Sequence, residues 1–133
     1  MMMRRLSERR GGFTIIELLI VIAIIAILAA VAIPALLRAQ KSGKESAALQ
    51  VLKSLRTAEE AYKVKTKKYA TLDTLSTDGS SPVGQGAKEN ASGYTFTSVA
   101  DTTNGNYYTI IAIPPQTDMT TYTLVETGVV YPE

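Results

Sequence analysis

Glu17 is the residue in this chain whose chemistry most needs a partner. It closes the stretch Gly12-Phe13-Thr14-Ile15-Ile16-Glu17 and stands directly before an apolar run from Leu18 to Leu37. An acidic side chain at the centre of a membrane helix costs about 2.5–3.5 kcal/mol on insertion scales, and less toward the interface. Something must therefore use this carboxylate. A positive group in the same low-dielectric surroundings would serve, because an ammonium and a carboxylate attract strongly there while either one alone is costly. No catalytic constellation accompanies it. The chain has no histidine and no cysteine, which removes the commonest general base, thiolate metal ligands and any disulfide. Its serines fall in loop-like segments without a base partner, and no phosphate-cradling glycine loop is present. The residues point to a protein that is not an enzyme and requires no cofactor.

The run Leu18–Leu37 is long enough to cross a bilayer core of about 30 Å. A buried core helix is one alternative, but a chain of 133 residues could not cover a helix that is apolar on every face. A secretory signal peptide is another, since arginines precede the run and Ala30-Val31-Ala32 offers small residues at suitable spacing. Against that reading, the run exceeds the usual apolar core of such signals, and Glu17 sits where that core should begin. A plain single-span anchor leaves Glu17 and the Gly12-Phe13 junction without a role. The net charge of +2 is unevenly placed. Arg4, Arg5, Arg9 and Arg10 stand against Glu8 in the first twelve residues, leaving ten Lys and Arg against eleven Asp and Glu beyond them. The basic balance belongs to a leader, which disfavours nucleic acid as a partner. Lys65-Thr66-Lys67-Lys68 reads as a solvated helix end that complements the helix dipole.

Beyond Leu37 the pattern becomes periodic. Ala48, Val51, Leu52, Leu55, Ala58, Tyr62 and Tyr69 recur at helical spacing, with Lys53, Arg56, Glu59, Glu60 and Lys63 assigned to a solvated face. Gly43 weakens such a helix without ending it, and a helix from Ile15 to about Lys68 would be roughly 80 Å long at 1.5 Å per residue. Pro34 lacks an N–H, so the carbonyl of Ala30 loses its helical partner and a bend or loosening is expected there. Residues 71–93 have turn and loop chemistry, notably Asp78-Gly79-Ser80-Ser81-Pro82 and Gly84-Gln85-Gly86, with Leu72 and Leu75 pinning the start of the loop. Strands are predicted at Tyr94–Thr97, Tyr107–Ile113, Tyr122–Glu126 and Val129–Tyr131, with turns at Asp101–Asn106 and Thr127-Gly128. Three or four antiparallel strands would bury Tyr94, Phe96, Ile111 and Leu124, or their alternates, against the helix.

The junction of Gly12 and Phe13, followed by Thr14, two isoleucines, Glu17 and the apolar run, resembles the processing site of type IV prepilins, a site shared by the pseudopilins of type II secretion. The order of Gly93-Tyr94-x-Phe96, Tyr107–Pro114 and Tyr122–Val129 is more loosely similar to the C-terminal region of small bacterial pilins. The resemblance implies a pilin-like α+β fold: a long N-terminal helix, half membrane-length and half amphipathic, packed on a small antiparallel sheet. It divides the chain into a cleaved leader (1–12), a transmembrane and assembly helix (13–37) and a globular domain (38–133), the last made of an amphipathic helix at about 38–69, a loop at 71–93 and strands at about 94–131. It implies cleavage after Gly12 by prepilin peptidase, N-methylation of Phe13, and pairing of Glu17 with the Phe13 ammonium of a neighbouring subunit. Pro34 would be the helix kink. The implied partners are further copies of the chain in a helical homopolymer, the membrane before assembly, and an inner-membrane assembly platform with its cytoplasmic ATPase. The subunit would be a single-pass inner-membrane protein first and part of an extracellular, fimbrial filament afterwards. Many pilins close their last loop with a disulfide, which a chain without cysteine cannot do. Many major pseudopilins bind Ca²⁺ near the C-terminus, and Asp101, Asn104, Asn106 and Asp118 are oxygen ligands of the right kind. Such residues are also routine in turns between strands, and the reading assigns no metal. Major pseudopilins often carry Tyr-Pro after the long helix, whereas Tyr69 is followed here by Ala70. This favours a pilus subunit over a pseudopilin, with a secreted or membrane-anchored binding module as a third reading.

Overall fold

The computed structural model describes residues 11–81, 83, 93–101 and 104–133. Most of the expected leader, the Gly84-Gln85-Gly86 turn with its surroundings, Pro82, and the tip of the Asp101–Asn106 turn lie outside the described residues. The chain divides into two units that meet between Arg38 and Ala39. Helix α1, Ile15–Thr66, belongs to both, and it runs unbroken through Pro34.

In the first unit the large apolar residues of α1 are exposed, from Ile15 and Leu18 to Leu36 and Leu37. In the second unit the same helix becomes one wall of a core. Ala48, Leu52, Leu55 and Ala58 are buried at helical spacing, and Val51 and Tyr62 pack at the margins. Each fully buried leucine contributes about 1.5–3 kcal/mol relative to exposure. The helix ends two residues before the expected Lys68. Lys67 adopts a left-handed conformation (φ 65°) and donates its N–H to the Lys63 carbonyl at 2.8 Å, which closes the last turn.

Two expectations need correction here. Glu59, expected on the solvated face, is fully buried; its place on the Leu52–Leu55 stripe points it inward, where one carboxyl oxygen accepts the Ala70 N–H. The segment after α1 is also not loop throughout. Leu72–Thr77 forms a short helix, α2, capped by Thr71, whose side chain accepts the Thr74 N–H. Leu72 and Leu75 do pin the segment, but as the buried face of this helix.

Strands β1 (Thr95–Ala100), β2 (Tyr108–Ile113), β3 (Tyr122–Val125) and β4 (Val130–Pro132) form one antiparallel sheet in sequence order. Phe96 lies opposite Ala112, and Ile110 opposite Leu124; these four are buried toward α1 along with Tyr94 and Tyr108. Ile111 is therefore on the outer face and only half-buried, so its neighbours Ile110 and Ala112 are the alternates that enter the core. The outer face of the sheet, including Thr97, Thr109, Ile111, Thr123 and Val125, carries no charged side chain.

The β1–β2 turn is held to the end of α1. Gly105 accepts the Tyr69 N–H at 3.2 Å and has φ 68°, and a Cβ there would fall 2.7 Å from the Lys68 Cα. Only glycine fits this approach.

Candidate functional site

The N-terminus of α1 organises itself around Glu17. The Thr14 hydroxyl accepts the Glu17 N–H at 3.2 Å, while Glu17 Oε2 accepts the Thr14 N–H at 2.8 Å and the Thr14 hydroxyl at 3.0 Å. Thr14-Ile15-Ile16-Glu17 is thus a reciprocal capping box, with Thr14 as N-cap and Glu17 at the third helical position. Two of the backbone donors that a helix start leaves open are satisfied in this way. The carboxylate also lies at the positive end of the helix dipole, where a negative charge is favoured. The Thr-x-x-Glu spacing was legible in the sequence, but the reading of Glu17 as a residue awaiting a partner passed over its local one.

Gly12 and Phe13 are exposed, Phe13 at 86%. A side chain at Gly11 or Gly12 would meet nothing within 4 Å, and neither residue has a positive φ. Among the described residues, nothing places a steric demand for glycine at either position. Between Phe13 and Leu37 none of the large apolar side chains is buried among the described residues. By length and composition this helix suffices to cross a membrane.

The oxygen ligands considered for a cation are not brought together. Asp101, Asn104 and Asn106 belong to the turn before β2, whereas Asp118 follows β2. The length of that strand, about 17 Å at 3.4 Å per residue, lies between them. Asp101 Oδ1 accepts the Asn104 N–H at 3.0 Å, and Asp118 forms an ion pair with Lys41 of α1. Close to that pair, Glu45 Oε1 accepts the Thr120 N–H at 3.2 Å and the Tyr94 hydroxyl donates to the Thr120 carbonyl at 2.8 Å. These contacts fasten the β2–β3 loop to the helix, so Asp118 has a structural employment. Among the described residues, no group of three or more His, Cys, Asp or Glu is placed to hold a metal.

Residues 8–33 match the family model described as the prokaryotic N-terminal methylation motif. A search of curated proteins returned no significant match. The chain carries a prepilin-like N-terminal methylation motif at the start of a long helix, and that helix is followed by a small antiparallel sheet in a pilin-like α+β arrangement. This combination is consistent with a pilin or a pseudopilin, proteins that are generally structural subunits rather than enzymes. The motif implies processing by prepilin peptidase, and with the apolar helix it suggests a protein anchored in the membrane first and located at the surface or outside the cell afterwards.

Proposed function

We propose that the chain is the structural subunit of a type IV pilus-like filament, released from its leader between Gly12 and Phe13 and assembled through the apolar half of α1. The observation that carries this reading is the contrast at the helix start. A capped carboxylate stands at the mouth of a helix whose large apolar side chains are exposed from Ile15 to Leu37. Such a helix needs lipid before assembly, and like helices afterwards.

Cleavage after Gly12 would leave Phe13 with an α-ammonium group, and methylation of that nitrogen keeps the charge. In the isolated subunit Glu17 is satisfied by Thr14, which lowers the cost of holding a carboxylate at the membrane face. In the filament the Phe13 ammonium of a neighbour would join Glu17 in surroundings of low dielectric, neutralise it and fix the register between subunits. The assembly platform and its ATPase would supply the work of extraction.

A pseudopilin of type II secretion is the second reading. Ala70 weighs against it, because a proline at 70, as in many major pseudopilins, would delete the N–H that Glu59 accepts at 3.0 Å. Mass spectrometry of the mature protein tests the proposal. A chain beginning at methylated Phe13 is expected, and mature protein still beginning at Met1, or beginning after Ala32, would overturn it.

A further inference from the structure

The outer face of the sheet takes no part in packing against α1, and it carries no charged side chain among the described residues. In every outward pair of β1, β2 and β3, threonine stands beside an aliphatic residue. Thr95 lies opposite Ile113, Thr97 opposite Ile111 and Val99 opposite Thr109; Thr109 lies opposite Val125, and Ile111 opposite Thr123. Tyr131 of β4 continues the row beside Thr123. Val99 of β1 is 63% exposed and Tyr131 of β4 is 51% exposed. These are the two edge strands, so the uncharged surface reaches across the whole sheet.

A face without charge has nothing with which to select a charged ligand, while a copy of itself meets it without like-charge repulsion. Its alternating aliphatic and hydroxyl groups can interdigitate with the same pattern on a second sheet about 10 Å away, as the facing sides of two packed sheets do. Its position leaves it free for such a partner. Ser46, Gln50, Ser54, Thr57 and Ala61 are exposed on the side of α1 opposite the buried stripe, so like helices that pack there leave the outer face of the sheet uncovered. Its size decides what kind of contact it can make. Strands of six, six, four and three residues, about 4.8 Å apart and rising about 3.4 Å per residue, give a face of roughly 300 Å². Stable pairs of free proteins cover about 800 Å² on each side. One such contact is too small to hold two free subunits together, whereas a row of them along two filaments acts in concert.

We propose, resting on the filament reading above, that the outer sheet face is a self-adhesive surface: it packs against the same face of a second copy of the chain carried by a neighbouring filament, and so joins filaments side by side.

The test uses the full chain in a strain that lacks its endogenous subunit. Sheared filaments are divided into a low-speed pellet of bundles and a high-speed pellet of single filaments, and both are viewed by negative-stain electron microscopy. Wild-type filaments should collect in the low-speed pellet, while the detergent-solubilised subunit sediments as a monomer. Thr123→Lys and Thr123→Glu each place a charge at the centre of the face. Total filament should stay at the wild-type level, and the bundled share should fall by on the order of tenfold, since each charge repels its copy at every contact. Val99→Lys, on the exposed edge strand, should act in the same direction without touching the centre of the sheet. Mixing filaments of the two Thr123 variants should restore bundles. Gln116→Lys adds the same charge at an exposed position of the β2–β3 loop and should leave bundling unchanged. Wild-type filaments that stay single, bundles that persist in the Thr123 and Val99 variants, or a mixture that stays dispersed would overturn the inference. An equal loss of bundles in Gln116→Lys, or a stable subunit dimer in micelles, would overturn it as well. Single filaments that coat phosphatidylcholine vesicles, with the coating lost in Thr123→Lys, would give the face to a lipid surface instead. Absence of any wild-type filament would refute the filament reading itself, and this inference with it.

Discussion

Leu28 and Leu52 are the same residue type on the same helix, yet Leu28 is 64% exposed and Leu52 is fully buried. The difference lies in what surrounds each in sequence. Around Leu52 the apolar residues keep to one stripe and charges occupy the rest, so a single sheet can cover them. Around Leu28 every face is apolar, and no one-sided packing within a small protein could cover it. One region is a self-sufficient core. The other is built for surroundings that the folded chain does not supply.

That contrast can be broken experimentally, first at its junction with assembly. Glu17→Val should insert in the membrane at least as well as the wild type and keep its leader cleavage, since the scissile bond is four residues away. Surface filament should nevertheless fall by on the order of tenfold or more, because removing one partner of a desolvated ion pair is strongly unfavourable. Sheared-filament yield from a strain lacking the endogenous subunit measures this, and a normal yield would refute the pairing.

The two leucines themselves provide the next test. Leu52→Ala should lower the unfolding free energy of the globular unit by about 2–5 kcal/mol through cavity formation. Leu28→Ala should leave that transition within about 0.5 kcal/mol of the wild type. Denaturant melts in micelles would register both, and equal effects would mean that the two regions are not independent in the way described. Two glycines sharpen the comparison at smaller magnitude. Gly105→Ala meets the Lys68 backbone at a positive φ and should destabilise by about 1–3 kcal/mol. Gly43→Ala meets nothing within 4 Å on an exposed turn of α1, and should stabilise by about 0.5–1 kcal/mol.

Much of this organisation was legible because it rests on strong local signals. The apolar run, the amphipathic stripe and the turn at Thr127-Gly128 follow from composition and period alone, and the four strands were found within a few residues of their ends. The failures have identifiable physical causes. In β2 both alternating sets are largely apolar, Ile111 and Ile113 beside Thr109 on one side and Tyr108, Ile110 and Ala112 on the other. Period alone therefore could not choose the buried parity, and the hairpin register decides it. Glu59 was assigned by its charge, although its spacing from Leu52 and Leu55 already placed it on the buried stripe. The backbone donor that makes this tolerable lies eleven residues away at Ala70, beyond the reach of any periodicity argument. Helix α2 was missed because its Thr and Ser content resembles loop, while its cap at Thr71 and its two leucines carry the opposite message. At the helix N-terminus the Thr-x-x-Glu box was plain in the sequence but was overshadowed by the cost of the carboxylate.

The sheet has one more consequence, for the order of folding. Its spatial order is its sequence order, so each strand pairs with the one that the chain has just delivered. Loop-closure entropy is then met in small instalments rather than in one long search, and pairings between neighbours in sequence form faster than distant ones. No parallel crossover is needed, and no strand edge must wait, unpaired and sticky, for a distant partner. A polypeptide emerging end-on from a membrane can thus complete this sheet hairpin by hairpin, with every new strand meeting an edge already in place.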